Sequence, residues 1–172
     1  IPLALIPSTI WLLWYLRKDR HPEPKRMIIR VFIWGMLIAF PAILIENAGI
    51  GILGALALPV FATNLLVYFL VVAVTEEGLK FLVVHFRVLR RTMQLDEPVD
   101  AMVYMIVAAL GFATLEDIFL LTPLFEEEFV ATLNIAFSRF VGATLLHALA
   151  SGIVGYYLAL RIFRLQKGSP SI

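Results

Sequence analysis

The sequence predicts an all-α fold: a polytopic transmembrane helical bundle with about five spans plus short interfacial or re-entrant helices. Three observations carry this. Hydrophobic residues make up 61% of the 172 residues, and mean hydropathy is +0.92, whereas soluble domains are roughly 45–50% apolar. So much apolar sequence cannot be hidden inside a chain this short, because small domains keep much of their surface exposed; the surplus needs a lipid solvent. Apolar segments approaching or reaching the roughly 17–25 residues of a spanning helix recur along the chain. Finally, the basic residues gather between those segments rather than within them. The net charge of +1 gives no support to a nucleic-acid partner. The absence of cysteine excludes disulfides, thiol nucleophiles and cysteine-ligated zinc.

The whole chain, 1–172, reads as one membrane-embedded domain. Residues 1–16 are apolar, without a basic leader or a small-residue cleavage site, so they are not read as a signal peptide. Because the chain opens at Ile1 rather than Met, we expect them to be a first span shortened at its N-terminal end. A second span is expected over 27–45. "GILGALALPVFA" (51–62) is punctuated by Gly and Pro and too short to cross, so it reads as a loop or re-entrant turn. A third span covers 65–86 and a fourth 99–121. The apolar stretch 131–163 is too long for one crossing and is expected to divide near Arg139, into an interfacial helix after "FEEEF" (125–129) and a span over 140–160. Arg139 reads as an interface anchor, and Glu46, at the end of the second span, as an interfacial residue. The "EEE" run (126–128) reads as a solvated external turn.

The charges between the segments fix an orientation. Segments 17–30, 87–91 and 161–167 hold 12 of the 14 basic residues, leaving Lys80 and Arg139. Five spans place all three segments on one side. Basic loops stay cytoplasmic, which predicts a multi-pass plasma-membrane protein with its N-terminus outside and C-terminus inside.

Ionisable residues inside spans are costly and face polar interiors. The third span carries Glu76, Glu77 and Lys80; the fourth carries Glu116 and Asp117; the last carries His147. At ~1.5 Å per residue, Glu76, Glu116 and His147 lie roughly 16, 24 and 21 Å above the cytoplasmic edge, one slab toward the extracytoplasmic half. Glu76 and Lys80 are i, i+4 and share a face, while Glu77 is rotated ~100° away. That geometry predicts one glutamate held by lysine and the other left to activate water. Phe112 and Glu116, and His147 and Ser151, repeat the i, i+4 spacing. Ser151 reads as a helix-packing residue rather than a nucleophile. Gly111 and Gly152 allow neighbouring helices to approach closely. Carboxylates beside an imidazole in low dielectric suit general-base chemistry. Zinc held by Glu76, Glu116 and His147 is the other option, but no H-E-x-x-H motif is present, His21 lies in a basic loop and His85 sits near the boundary. Catalytic zinc usually takes more nitrogen or sulfur ligands, so no cofactor is favoured.

Three motifs in order, E-E-x-x-K at Glu76–Lys80, F-x-x-x-E at Phe112–Glu116 and H-x-x-x-S at His147–Ser151, resemble the PrsW family of intramembrane proteases, related to the prenyl (CAAX) endopeptidases and the CPBP proteins. "LDEPVDAMVY" (95–104) and "HALASGIVGYY" (147–157) resemble it too. The resemblance implies a protease that hydrolyses a membrane-anchored protein, with site-1-type cleavage of an anti-sigma factor outside the cytoplasm. Glu76 or Glu77 would activate the water, Glu116 and His147 would position it and stabilise the oxyanion, and Lys80 would orient the glutamates. One departure is Asp117, where the family is expected to carry Asn; an aspartate donates a hydrogen bond only when protonated. Two other classes use the same carboxylates: a proton-coupled transporter, which five spans without an inverted repeat disfavour, and a non-catalytic membrane scaffold, in which the glutamates would be dispensable.

Overall fold

A computed structural model of the chain describes residues 2–17, 23–90, 97–127 and 129–167. Those residues are almost entirely helical, with no strand among them. In lipid this is the expected outcome, since a helix satisfies its backbone groups within one segment. Three helical rods are long and apolar enough to cross a membrane, over Lys25–Ala55, Val99–Leu124 and Phe129–Ile162, with a shorter apolar helix at Leu3–Leu16.

α1 spans Pro2–Leu16, α2 Lys25–Leu37 and α3 Ala39–Ala55. Ile38 is a one-residue joint between α2 and α3. Pro41 has no N–H to return to the Leu37 carbonyl, and its ring crowds that oxygen; bonds from Ile38 N to Trp34 O and from Ala42 N to Ile38 O, each 3.1 Å, carry the rod across. The expected loop over 51–62 is therefore shorter than its glycines suggested: the helix continues to Ala55. The chain turns at Leu56–Pro59, with Ala57 in the left-handed region (φ 48°), and restarts as α4, Val60–Leu66. Glycine inside a helix costs only about 1 kcal/mol, and packing of the rod outweighs it.

The expected third span is helical from Val60 to Leu89 but of mixed pitch. Wider π turns over Val67–Ala73 lead into α5, Val74–Val84, and a second π stretch follows at His85–Leu89. α6 runs from Pro98 to Glu127, α7 from Phe129 to Val141 and α8 from Ala143 to Lys167. The last apolar stretch divides near Arg139, as expected, with the joint at Gly142. Trp11 of α1 fixes this joint: its indole donates to the Phe140 carbonyl at 3.0 Å, and its ring stacks on Phe140 at 5.4 Å.

α6 is the central pillar. Its apolar window is 72% buried, against 17% for the α7–α8 rod. Every residue from Val103 to Leu115 on α6 is buried. The outer faces of α3, α4, α7 and α8 expose Leu44, Phe61, Phe137, Leu146 and Tyr157, an apolar surface far larger than monomeric soluble proteins tolerate. Small residues let α2 and α6 cross at backbone contact. A Cβ on Gly35 would fall on the Ala108 carbonyl oxygen, and one on Gly111 on the Phe32 carbonyl oxygen. α8 approaches as closely, where a Cβ on Gly155 would meet Met102 Cα at 2.7 Å.

Substituting alanine for Gly111 or Gly35 should force α2 and α6 apart and cost about 1–3 kcal/mol, read as a lower thermal unfolding midpoint in detergent. Gly51, with nothing within 4 Å of its added Cβ, is the matched control, and Gly51→Ala should not destabilise.

Candidate active site

α5, α6, α7 and α8 bring one polar cluster together inside the apolar bundle. Lys80 of α5 lies at its centre with no solvent exposure. Its ammonium is 3.1 Å from Glu76 Oε2, 2.8 Å from Glu77 Oε1 and 3.0 Å from His147 Nδ1, and it lies 4.5 Å from the centroid of the Phe112 ring. The expectation that the adjacent glutamates diverge is corrected here. A lysine three residues from one glutamate and four from the other lies between both rows of the helix surface, so both carboxylates fold back onto it.

The other helices complete the cluster. An ammonium only donates, so His147 Nδ1 is the acceptor and Nε2–H donates to Glu116 Oε2 at 3.0 Å. His147 Nδ1 also lies 3.3 Å from Glu76 Oε2. Ser151, one turn after His147, is not merely a packing residue: its hydroxyl donates to Glu77 Oε2 at 2.6 Å. Both oxygens of Glu77 are thus engaged, whereas Glu76 is contacted by both neighbours through Oε2. Phe112 is buried beneath the cluster, its ring 5.7 Å from that of His147.

Two residues read as interfacial belong to this site. Arg139 of α7 donates through Nε to Asp117 Oδ1 and through Nη2 to Glu116 Oε2 at 3.2 Å. Asp117, fully buried, also accepts from Thr144 Oγ1 of α8 at 3.5 Å. Asp117 is therefore held by Arg139, and its place in the fold is to tie α6, α7 and α8 together. Glu46 of α3 follows Ala39 and Ala42 on the face that packs against Phe112 and Leu115. It lies within electrostatic reach of Glu76, Glu116 and Lys80, and its Oε1 is buried with no hydrogen-bond partner among the described residues. One signal could have marked Arg139: with Lys80, it is one of the two basic residues outside the three basic segments. His85 stays apart, stacked on Phe81 at 5.7 Å. His21 and Glu128 lie outside the described residues, as do the side chains of Glu126 and Glu127.

Burial is uneven across the cluster. Lys80, Asp117 and Ser151 have no exposure, while the side chains of Glu116, Glu77 and Arg139 are 29%, 23% and 20% exposed. With Glu46, five carboxyl groups surround the two basic side chains Lys80 and Arg139, an excess of acidic groups that favours a further cation. Glu76, Glu116 and His147 each turn a ligand atom to within 4.8 Å of the others. By number and donor chemistry, two carboxylates and one imidazole fit a divalent metal with three protein ligands.

Removing one partner of a buried ion pair leaves an uncompensated charge, at a cost of about 3–5 kcal/mol. Arg139→Ala should therefore lower the unfolding midpoint sharply. The apolar double variant Asp117→Leu/Arg139→Met should recover most of the loss, since apolar replacement of both partners is often neutral.

Comparison with known proteins agrees with the three motifs. The chain is 33% identical to protease PrsW of Geobacillus kaustophilus (strain HTA426) over 154 residues, 90% of this chain and 62% of that protein. It is 29% identical to protease PrsW of Clostridioides difficile (strain 630) over 158 residues, 91% of this chain and 63% of that protein. It is 30% identical to protease PrsW of Bacillus subtilis (strain 168) over 174 residues, 97% of this chain and 71% of that protein. The chain thus spans less than two thirds of the length of the first two. No solved structure matches it. The model of the PrsW family intramembrane metalloproteases matches residues 23–170, a range that contains Glu76, Glu116, Arg139 and His147, and the chain belongs to that family.

Proposed function

We propose that the protein is an intramembrane endopeptidase that hydrolyses a peptide bond of a membrane-anchored protein by means of a glutamate-activated water. The observation that carries this reading is the convergence of Glu76, Glu116 and His147 from three helices, within 4.8 Å of one another. The membrane arrangement is five spans, α1, α2–α3, α4–α5, α6 and α8, in a single multi-pass plasma-membrane domain. The three basic segments and the C-terminus are cytoplasmic, as the positions of 12 of the 14 basic residues support. The site then lies toward the extracytoplasmic half, where an anti-sigma factor with one span is a substrate of the right kind.

Glu76 is the general base. Glu77 is tied through both oxygens to Lys80 and Ser151, a geometry that suits support rather than proton transfer. Glu76 takes a proton from water, the water oxygen bonds to the carbonyl carbon, and the carbonyl π pair moves onto oxygen. When that pair returns, the C–N bond breaks and the leaving nitrogen takes the proton from Glu76, giving an acid and an amine. Glu116 and His147 position the water, and Lys80 holds the glutamates in register. Glu76, Glu116 and His147 are also the residues that would hold a divalent cation, whose chemistry would be Lewis-acid polarisation of water and carbonyl.

Glu76→Gln should lower cleavage of a membrane-anchored reporter by about 10²–10⁴-fold, the usual worth of a general base, with the folded yield unchanged. Glu77→Gln should lose about tenfold, the worth of one weakened charged hydrogen bond of ~1.5 kcal/mol. Cleavage retained in both variants would end the assignment, and pH-driven proton flux in liposomes without proteolysis would replace it with a relay.

A metal-free glutamate route also predicts full cleavage in excess chelator by protein that lacks stoichiometric metal. Loss of cleavage that zinc restores would instead move Glu76, Glu116 and His147 to metal ligation.

A further inference from the structure

Peptide hydrolysis places a negative charge on the carbonyl oxygen, and donors aimed at that charge often contribute more to catalysis than any other single effect. The donors of this site can be followed one by one. Lys80 has three N–H groups, directed to Glu76, Glu77 and His147. The His147 Nε2–H goes to Glu116, and the Ser151 hydroxyl to Glu77. Asp117 accepts from Arg139. Each of these donors already serves a carboxylate or the imidazole. The exception among the described residues is Arg139: a guanidinium has five N–H donors, and two are used, by Asp117 and Glu116.

The remaining donors are also well placed. Arg139 and Glu116 are among the partly exposed members of the cluster, within reach of a substrate, whereas Lys80 has no exposure. Asp117, fully buried and further bonded to Thr144, holds the guanidinium by Nε, and Nη1 has no hydrogen-bond partner among the described residues. A rigid fork with one side anchored and the other free suits the donation of hydrogen bonds to a developing oxyanion.

We infer that Arg139 is a catalytic residue whose guanidinium stabilises the oxyanion formed when water adds to the scissile carbonyl, and that Asp117 is the positioning residue that aims it. The inference rests on the hydrolytic reading of the site. In the step concerned, the water oxygen bonds to carbon, the water proton goes to Glu76, and the displaced carbonyl pair becomes the charge that Arg139 meets. Removal of Arg139 therefore acts on the transition state more than on the bound substrate.

The test uses the purified chain in proteoliposomes with a single-span reporter that carries a fluorescent extracytoplasmic domain. Asp117→Leu/Arg139→Met removes the buried pair and leaves Glu116 its bond to His147; it should lose about 10²–10³-fold in kcat, the worth of one oxyanion donor, with KM within about threefold of wild type. Arg139→Lys keeps the charge and tests the fork; it should fold, bind the reporter with unchanged KM and lose more than about tenfold in kcat. A kcat within threefold of wild type in either folded variant, while Glu76→Gln is dead, overturns the role of Arg139 and leaves the protease reading standing. Cleavage that persists in Glu76→Gln defeats the protease reading itself. A rise in KM with unchanged kcat overturns the inference too, since it makes Arg139 a substrate-binding group.

Discussion

Everything in this protein is arranged around a lysine with no access to water. An isolated ammonium in hydrocarbon is costly, so Lys80 persists only because four groups from three helices converge on it: two carboxylates of its own helix, an imidazole of α8 and the face of Phe112 on α6. The need is mutual. Without the ammonium, Glu76 and Glu77 would be adjacent anions in low dielectric, and His147 would lose the group that makes Nδ1 its acceptor. One buried charge thereby sets the rotamers, the tautomer and the packing of the surrounding helices.

The pillar makes this convergence sterically possible. α6 carries Phe112 and, one turn later, Glu116 and Asp117, so its position decides whether the acids reach α5 and α8. Backbone-close crossings at Gly35, Gly111 and Gly155 hold α2 and α8 against it. A second buried pair, Asp117 with Arg139, performs for α7 what Lys80 performs for α5. The two cations differ in access: Lys80 is fully buried and Arg139 is partly exposed.

Most of the fold was legible because lipid leaves few choices. Apolar segment lengths and the basic segments gave the helical class, and helical rise placed Glu76, Glu116 and His147 at one level before any packing was known. Spacing within one helix was equally readable, as Glu76–Lys80 and His147–Ser151 show, although the hydroxyl of Ser151 meets a glutamate 74 positions away. What remained hidden depends on contacts between helices. Arg139 sits in an amphipathic helix that resembles an interfacial one, and only packing of α7 against α6 brings it to Asp117. Glu46 reads as interfacial because the glycines after it suggest that the span ends there, whereas the rod continues to Ala55. The joint at Gly142 depends on Trp11, more than a hundred residues earlier.

The wide turns ahead of α5 had no signature in composition, yet they carry a consequence for how such chains can vary. Each π turn holds one residue more than an α turn, so a wheel drawn at a uniform 100° through 67–73 assigns the wrong faces. Val71, within that stretch, packs so tightly on α3 that a Cβ on Gly49 would lie 2.6 Å from it, while Glu76 follows only one turn and a half later. Gain or loss of a single residue between them would turn the downstream segment by roughly 100° and point its acids at lipid. The exposed side chains of that stretch, Tyr68, Phe69 and Leu70, can vary, but the number of residues there is locked, and relatives that share this chemistry should show no insertions or deletions at that point.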